Sequence, residues 1–244
     1  MRMRRGWEAE AHHWAQFART PGHDQAHEEL NLPSLLRLLP PPAGRALDLG
    51  CGEGRLSRVL HARGYPVTGV DASPTMVRLA ASHDDRQPVV LADAAALPFR
   101  DGAFDLVVAY MSLHDIDAMP AAVAEAARVL RSAGRFCAAI PHPVNSAGEF
   151  GSKAAGAPFV ISGSYLDCAP VTWTASRSDV RLTFHSEHRP LEAYSGALEA
   201  AGLLIEAIRE VSPAAPATPA AADEAASRWR RIPMFLQLRA VKPG

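Results

Sequence analysis

The sequence predicts an α/β fold built on a mostly parallel sheet, and three observations predict it. A short apolar run, Ala46 to Leu49, meets glycines at 50, 52 and 54 and then the helix-compatible stretch Leu56 to Leu60, which reads as strand, tight turn and helix. An acid, Asp71, closes the next apolar run, Val67 to Val70, about 20 residues further on, where a nucleotide-binding unit places the residue that holds a ribose. Short β-type runs and amphipathic stretches then alternate as far as residue 141. With 244 residues, 48% of them hydrophobic, the chain suffices for a single domain with a substantial core.

From the amino terminus, residues 7 to 19 carry Trp7, Ala11, Trp14 and Ala18 at three- and four-residue spacing and predict a helix. A second helix, 25 to 39, must stop before Pro40-Pro41-Pro42. Strand 45–49 and helix 54–63 follow; glycine in the turn between them permits positive φ and close approach of a ligand to bare backbone, and the new helix directs N–H groups into the crevice. A dinucleotide fingerprint would want a third glycine where Arg55 stands, so the match to an NAD site is imperfect.

Strand 66–70 leads to helix 74–83, with Ser73 as cap and Pro74 in the first turn. Strand 88–91, strand 104–109, helix 119–130 and strand 135–140 complete this half. Pro141-His142-Pro143 then sits at the carboxyl edge of the sheet, where open α/β sheets bind ligands. Residues 144 to 158 are rich in Gly, Ala and Ser and read as a mobile loop. Runs at 159–161 and 180–185 are β-type. Helix 190–201 and strand 203–210 return to the core. A Pro/Ala-rich loop at 212–222, a short helix with Arg228, Trp229, Arg230 and Arg231, and a last strand at 234–241 end the chain. The arginines read as a solvated helix face, since a net charge of -1 supplies no basic field for nucleic acid or an acidic membrane.

Three widely spaced cysteines, Cys51, Cys137 and Cys168, read as free thiols in a reducing compartment. The basic start, Met1 to Arg5, lacks the apolar core of a signal peptide, and no apolar run approaches the ~20 residues of a membrane helix. A soluble, cytoplasmic protein is the expectation.

The glycine segment Leu47-Asp48-Leu49-Gly50-Cys51-Gly52-Glu53-Gly54 resembles the first motif of class I S-adenosylmethionine-dependent methyltransferases. The resemblance runs on through Asp93-Ala94, Leu97-Pro98-Phe99, Phe104-Asp105-Leu106-Val107-Val108, Ser112-Leu113-His114-Asp115-Ile116 and Ala127 to Phe136, covering residues 45 to 140. Among subfamilies it is most similar to the type 11 enzymes, relatives of the ubiquinone and menaquinone C-methyltransferases. It implies a Rossmann-like seven-stranded sheet of order 3-2-1-4-5-7-6 with the last strand antiparallel, and S-adenosylmethionine as cofactor. Asp71 is then implied to bind both ribose hydroxyls, Asp93 with Ala94 the adenine, and the backbone at Gly50 and Gly52 the methionine portion, with Asp48, Cys51, Ala72 and Tyr110 in the same cradle. Met76 contacts adenine in that pattern or simply packs the core.

Residues 1–42 are implied to lie over the cofactor, so that Trp14 walls the pocket or packs its helix. Arg19 either meets the methionine carboxylate or is a solvated surface side chain. The segment Tyr110-Met111-Ser112 lacks the Asn/Asp-Pro-Pro-Tyr of enzymes that methylate nucleic-acid bases, which favours a small organic acceptor.

Methyl transfer from a sulfonium needs alignment more than a protein nucleophile, and a general base helps only with a protic acceptor. His142 and His114, at the ends of the fifth and fourth strands, are the candidate bases; each also reads as a hydrogen-bonded structural histidine. Residues 143–189 form a candidate substrate cap, in which Tyr165, Trp173 and His185 either contact the acceptor or pack the cap. His142, His185 and His188 lack the Cys or carboxylate partners of a metal site, so none is expected. Two rival functions remain, an NAD-dependent oxidoreductase and a fold relative that binds the cofactor as a non-methylating enzyme or regulatory subunit. The oligomeric state is open.

Overall fold

Alternation of apolar and helix-compatible segments produces a single wound sheet in the computed structural model, which describes residues 2–83, 88–178, 180–213 and 227–244. Helix α1 spans Arg2–Arg19 and α2 Leu32–Leu38. The first half of the sheet uses β1 (Ala46–Leu49), α3 (Arg55–Ala62), β2 (Val67–Asp71), α4 (Pro74–His83) and β3 (Val89–Leu91). The second uses β4 (Phe104–Tyr110), α5 (Met119–Val129), β5 (Leu130–Pro141), α7 (Leu191–Ala200), β10 (Leu204–Val211) and β11 (Phe235–Val241). Between β5 and α7 lie α6 (Pro143–Ala147), the two-residue strands β6 (Glu149–Phe150) and β7 (Phe159–Val160), and a hairpin of β8 (Ala169–Arg177) and β9 (Val180–His188).

The sheet order is β10-β11-β5-β4-β1-β2-β3, with β11 antiparallel to both its neighbours and the remaining pairs parallel. Counting strands within this sheet, that is the expected 3-2-1-4-5-7-6.

Period-two alternation sends side chains to two faces. Val107 and Ala109 of β4, with Phe136, Ala138 and Ile140 of β5, join Met119, Val123 and Ala126 of α5 and Leu198 of α7 in one core. Leu106, Val108 and Tyr110, with Cys137 and Ala139, pack beneath Leu35 of α2 and Leu56 and Leu60 of α3 in the other. A third, small cluster joins α1 to the hairpin through Phe17, Val180 and Leu182.

The expected helix at 25–39 is interrupted. Residues Ala26–Asn31 form a π-helical segment, and the buried Gln237 of β11 donates to the Asn31 carbonyl at 2.7 Å and to its side-chain oxygen at 2.8 Å. A wider turn releases a carbonyl, and here the sheet takes it up. The Gly/Ala/Ser stretch 144–158, expected as a loop, contains α6 and β6. The arginine group is not a free face. Arg228 donates to the Ser152 carbonyl at 2.8 Å and Arg231 to those of Ala155 and Ala157 at 3.2 and 2.8 Å, so the basic residues hold that stretch in place. The Pro/Ala-rich loop expected at 212–222 lies, from residue 214 onward, outside the described residues. Among the described residues no helix is long and apolar enough to cross a membrane.

Candidate active site

β1 and β4 are neighbours at the point where strand order reverses, and it is outside the carboxyl ends of strands at such a point that open α/β sheets bind ligands. The glycines after β1 take φ values of 73° at Gly50, 56° at Gly52 and 86° at Gly54. At Gly50 a Cβ would also stand 2.5 Å from the Cβ of Ser112, whose hydroxyl donates to the Leu49 carbonyl at 2.6 Å, so only glycine lets the two turns meet.

The amides of this turn are used inside the fold. Gly50 and Cys51 donate to the Val70 carbonyl at 2.8 and 2.9 Å, and Gly52 donates to Asp71 Oδ2 at 2.9 Å. Asp71 Oδ1 accepts the Ser73 amide at 2.8 Å. Burial pushes the Asp71 carboxyl above its usual range, against the N–H bonds from Ser73, Gly52 and Ala72. Both oxygens of Asp71 thus accept backbone amides, one from each of the turns after β1 and β2.

The Ser73 hydroxyl accepts the Met76 amide at 3.0 Å, the expected cap of α4, and itself donates to Glu8 of α1. Glu8 also accepts from Thr75 Oγ1 at 2.7 Å. Desolvation opposes ionisation of Glu8, yet the bonds from Ser73 and Thr75 hold its carboxyl below the usual range. At the other end of α1, Arg19 pairs with the fully buried Glu53 at 2.8 Å and donates to the Leu79 carbonyl at 3.0 Å. Arg58 pairs with the same Glu53 at 2.7 Å. The Arg19 guanidinium thus ties α1 to the glycine turn.

Trp14 stands beside the glycine turn and within an aromatic cluster. Its Nε1 lies 3.4 Å from where a Cβ on Gly52 would stand, and its ring packs with Trp7, Phe17 and Phe184 at centroid distances of 5.7, 6.0 and 6.1 Å. Arg55, which replaces the third glycine of a dinucleotide site, lies over the Trp14 ring and pairs with Asp24 at 2.9 Å. His185 lies against Gly6, and its carbonyl accepts the Trp7 indole N–H at 2.9 Å.

The other expected cradle residues are placed as follows. Asp48 is 1% exposed and accepts the Ser57 hydroxyl at 2.6 Å, bracing β1 on α3; burial pushes its carboxyl up to about 7. The buried Cys51 side chain lies against Gly69, and burial raises its thiol. The Tyr110 ring packs on the α2/α3 side of the sheet and its hydroxyl bonds His27 Nδ1 at 2.6 Å. Met76 and Ala94 are buried, and Ala72 adjoins Asp71. Asp93 follows β3, its Oδ1 accepting the Ala95 amide at 2.9 Å.

Of the two candidate bases, His142 caps α6. Its Nδ1 accepts the Val144 amide at 3.1 Å and its Nε2 lies 3.1 Å from Glu210. Burial lowers its affinity for a proton and Glu210 partly restores it. Both ring nitrogens thus have partners within the fold, the hydrogen-bonded structural histidine of its other reading. His114, on the one-turn 3-10 segment Leu113–Asp115 after β4, is buried, and desolvation with Arg189 pushes it down to about 3. Tyr165 is a fastener of the insertion: its hydroxyl accepts the Leu191 amide at 3.1 Å and its carbonyl lies 2.9 Å from His188 Nε2. Among the described residues no group of three or more His, Cys, Asp or Glu is placed to hold a metal.

Sequence reasoning missed Glu8, Glu53 and Arg189. Glu53 lies within the glycine motif, where its 0% exposure signals a partnered charge only once burial is known. Glu8 and Arg189 leave no local sign.

Residues 47–138 match the family described as a methyltransferase domain, of the type 11 group. The malonyl-(acyl-carrier protein) O-methyltransferase of Enterobacter lignolyticus is 36% identical over 124 residues, 49% of each chain. The 27-O-demethylrifamycin SV methyltransferase of Amycolatopsis mediterranei is 41% identical over 110 residues, 42% of this chain and 40% of that one. The chain thus spans about half the length of the curated relatives it matches. The S-adenosylmethionine dependent methyltransferase structure from Mesorhizobium loti is 26% identical, superposes with a TM-score of 0.69, and covers 86% of this chain and 96% of its own. In sequence match and strand order, residues 47–138 are similar to a class I S-adenosylmethionine-dependent methyltransferase domain of the type 11 group.

Proposed function

We propose that the protein transfers a methyl group from S-adenosylmethionine to a small organic acceptor, by O-, N- or C-methylation. The observation that carries this reading is the Asp71 carboxylate joined to the Gly52 amide at the floor of the crevice, with Trp14 above. Asp71 holds the ribose hydroxyls, Asp93 with Ala94 the adenine edge, and the backbone around Gly50 and Gly52 the methionine portion. Met76, buried just behind, packs that wall. When bound, the cofactor supplies an electrophilic methyl on a sulfonium. The chain's own task is to align the acceptor at ~3 to 3.5 Å and keep water out. Helix α1 (within residues 1–42) and the 143–189 insertion, as acceptor cap, close the crevice for this purpose through Trp7, Trp14 and Phe184.

Two relatives are named for O-methylation, which favours an oxygen acceptor. A small molecule, rather than a nucleic acid or membrane, fits the near-neutral charge. Buried thiols at Cys51 and Cys137 suit a reducing, cytoplasmic setting. A second reading, a cofactor-binding regulatory subunit, is favoured by one observation: Trp7 and Trp14 pack on Phe184 across the crevice mouth, which must open to admit an acceptor.

The test is incubation with methyl-labelled S-adenosylmethionine and pooled small hydroxyl, amine and carboxyl compounds. Label transfer with matching S-adenosylhomocysteine is expected; cofactor binding with no transfer to any pool would favour the subunit.

A further inference from the structure

We infer that His114 and Asp115 form the recognition pair for the acceptor, taking the O–H or N–H of a protic group carried on a ring-bearing body. This deepens the methyltransferase reading and rests on it.

His114 is 8% exposed, yet its Nδ1 has no hydrogen-bond partner among the described residues, and neither does Asp115 Oδ1. The two residues touch: His114 Nε2 lies 3.3 Å from that same Oδ1, without the alignment of a hydrogen bond. A buried polar atom without a partner is destabilising and rare, and two on adjacent residues mark a place where a ligand completes the bonding.

The turn that bears them is held from behind, so the pair is preorganised. Arg189, 5% exposed, donates to the carbonyls of Leu113, His114 and Ile116 at 3.2, 3.4 and 2.9 Å and pairs with Glu187. Just upstream, Met111 takes φ of 54°, a left-handed conformation unusual for a side chain of this kind. Ser112 fixes the same turn to Leu49 of β1. The fold leaves His114 Nδ1 and Asp115 Oδ1 unbonded on this braced turn, where a substrate can complete them.

The location also fits. The turn closes β4 beside β1, and the Asp71 charge reaches Asp115 and raises its carboxyl further after burial has done so. The Trp7 indole, whose N–H goes to the His185 carbonyl, lies near the same carboxyl, with Trp14 and Phe184 against its ring. These rings offer apolar faces beside a polar pair, the chemistry of a phenol, an enol or an aromatic amine. A histidine that resists protonation serves as a hydrogen-bond acceptor that orients the substrate's lone pair, without itself becoming charged.

The experiment uses histidine-15N-labelled protein loaded with S-adenosylhomocysteine and titrated with catechol or with its dimethyl ether, while the His114 ring nitrogens are followed by NMR and assigned with His114→Gln. Catechol is expected to shift His114 Nδ1 and to bind about ten-fold more tightly than the ether, and Asp115→Asn to erase that preference while S-adenosylhomocysteine still binds. Equal effects of the two probes, movement of His185 without His114, or no binding of either overturns the proposal. Failure of the wild type to bind S-adenosylhomocysteine refutes the methyltransferase reading instead, and the catechol titration of the free protein is then judged by the same His114 criterion.

Discussion

Asp71 Oδ2 accepts the backbone N–H of Gly52 at 2.9 Å, so the acid at the end of β2 fixes the glycine turn after β1. Asp71→Ala therefore leaves two amides, those of Gly52 and Ser73, without their acceptor. Loss of about 1 to 3 kcal/mol in urea unfolding of the ligand-free protein is expected. Unchanged stability would show that the two bonds contribute nothing to the turn.

Asp48 predicts a pH dependence with a definite sign. Its carboxyl titrates near 7 in the folded protein, against 3.8 in the unfolded chain, so the folded state holds more protons between those values. Stability contributed by this group is full below about pH 4 and falls as pH rises to about 7, by roughly 4 kcal/mol at most. Asp48→Asn keeps an acceptor for Ser57 and removes the titration. The difference between wild-type and variant stability should grow in favour of the variant across that window; a flat difference would contradict the burial argument.

Most of the sheet was legible because each strand–helix unit carries its own period and its own punctuation: Gly50 to Gly54 after β1, Ser73-Pro74 before α4, Gly134 within β5. What escaped depends on residues far apart in the chain. Glu8 meets Ser73 across 65 positions, and Gln237 meets Asn31 across 206, so the docking of α1 and the π-helical segment leave no local pattern. Strand β8 was missed although Val171, Trp173 and Ala175 alternate with Thr172, Thr174 and Ser176; its side chains are nearly all exposed, and its one large ring, Trp173, stacks flat on Phe184 at 4.0 Å. The candidate site divides in the same way. Spacing singles out Asp71, whereas the pairing of Arg19 with Glu53 and of Tyr110 with His27 is decided by which face of an element each side chain occupies.

The attachment of α1 gives a third prediction. Glu8→Ala removes the acceptor shared by Ser73 and Thr75, leaving Arg19 and the aromatic contacts to hold the helix. Amide hydrogens of α1 should exchange at least about five-fold faster, a loss of roughly 1 kcal/mol in local protection, with the sheet unaffected. Equal exchange across α1 would mean that the aromatic cluster alone docks it.

His142 makes a fourth. As the cap of α6, its replacement in His142→Ala should cost about 0.5 to 2 kcal/mol of stability and leave cofactor affinity unchanged. Denaturation and cofactor titration of the same variant check both halves, and a stable variant with weakened cofactor binding would reverse the assignment.

The central claim is that the crevice at the end of β1 and β2 holds S-adenosylmethionine through Asp71. Calorimetric titration of the wild type and of Asp71→Asn with S-adenosylmethionine, S-adenosylhomocysteine and NAD tests it most directly. The account predicts micromolar binding of both sulfur compounds, none of NAD, and weakening by about ten-fold or more in a folded Asp71→Asn protein. Absence of binding by the wild type, or wild-type affinity in the variant, would contradict it.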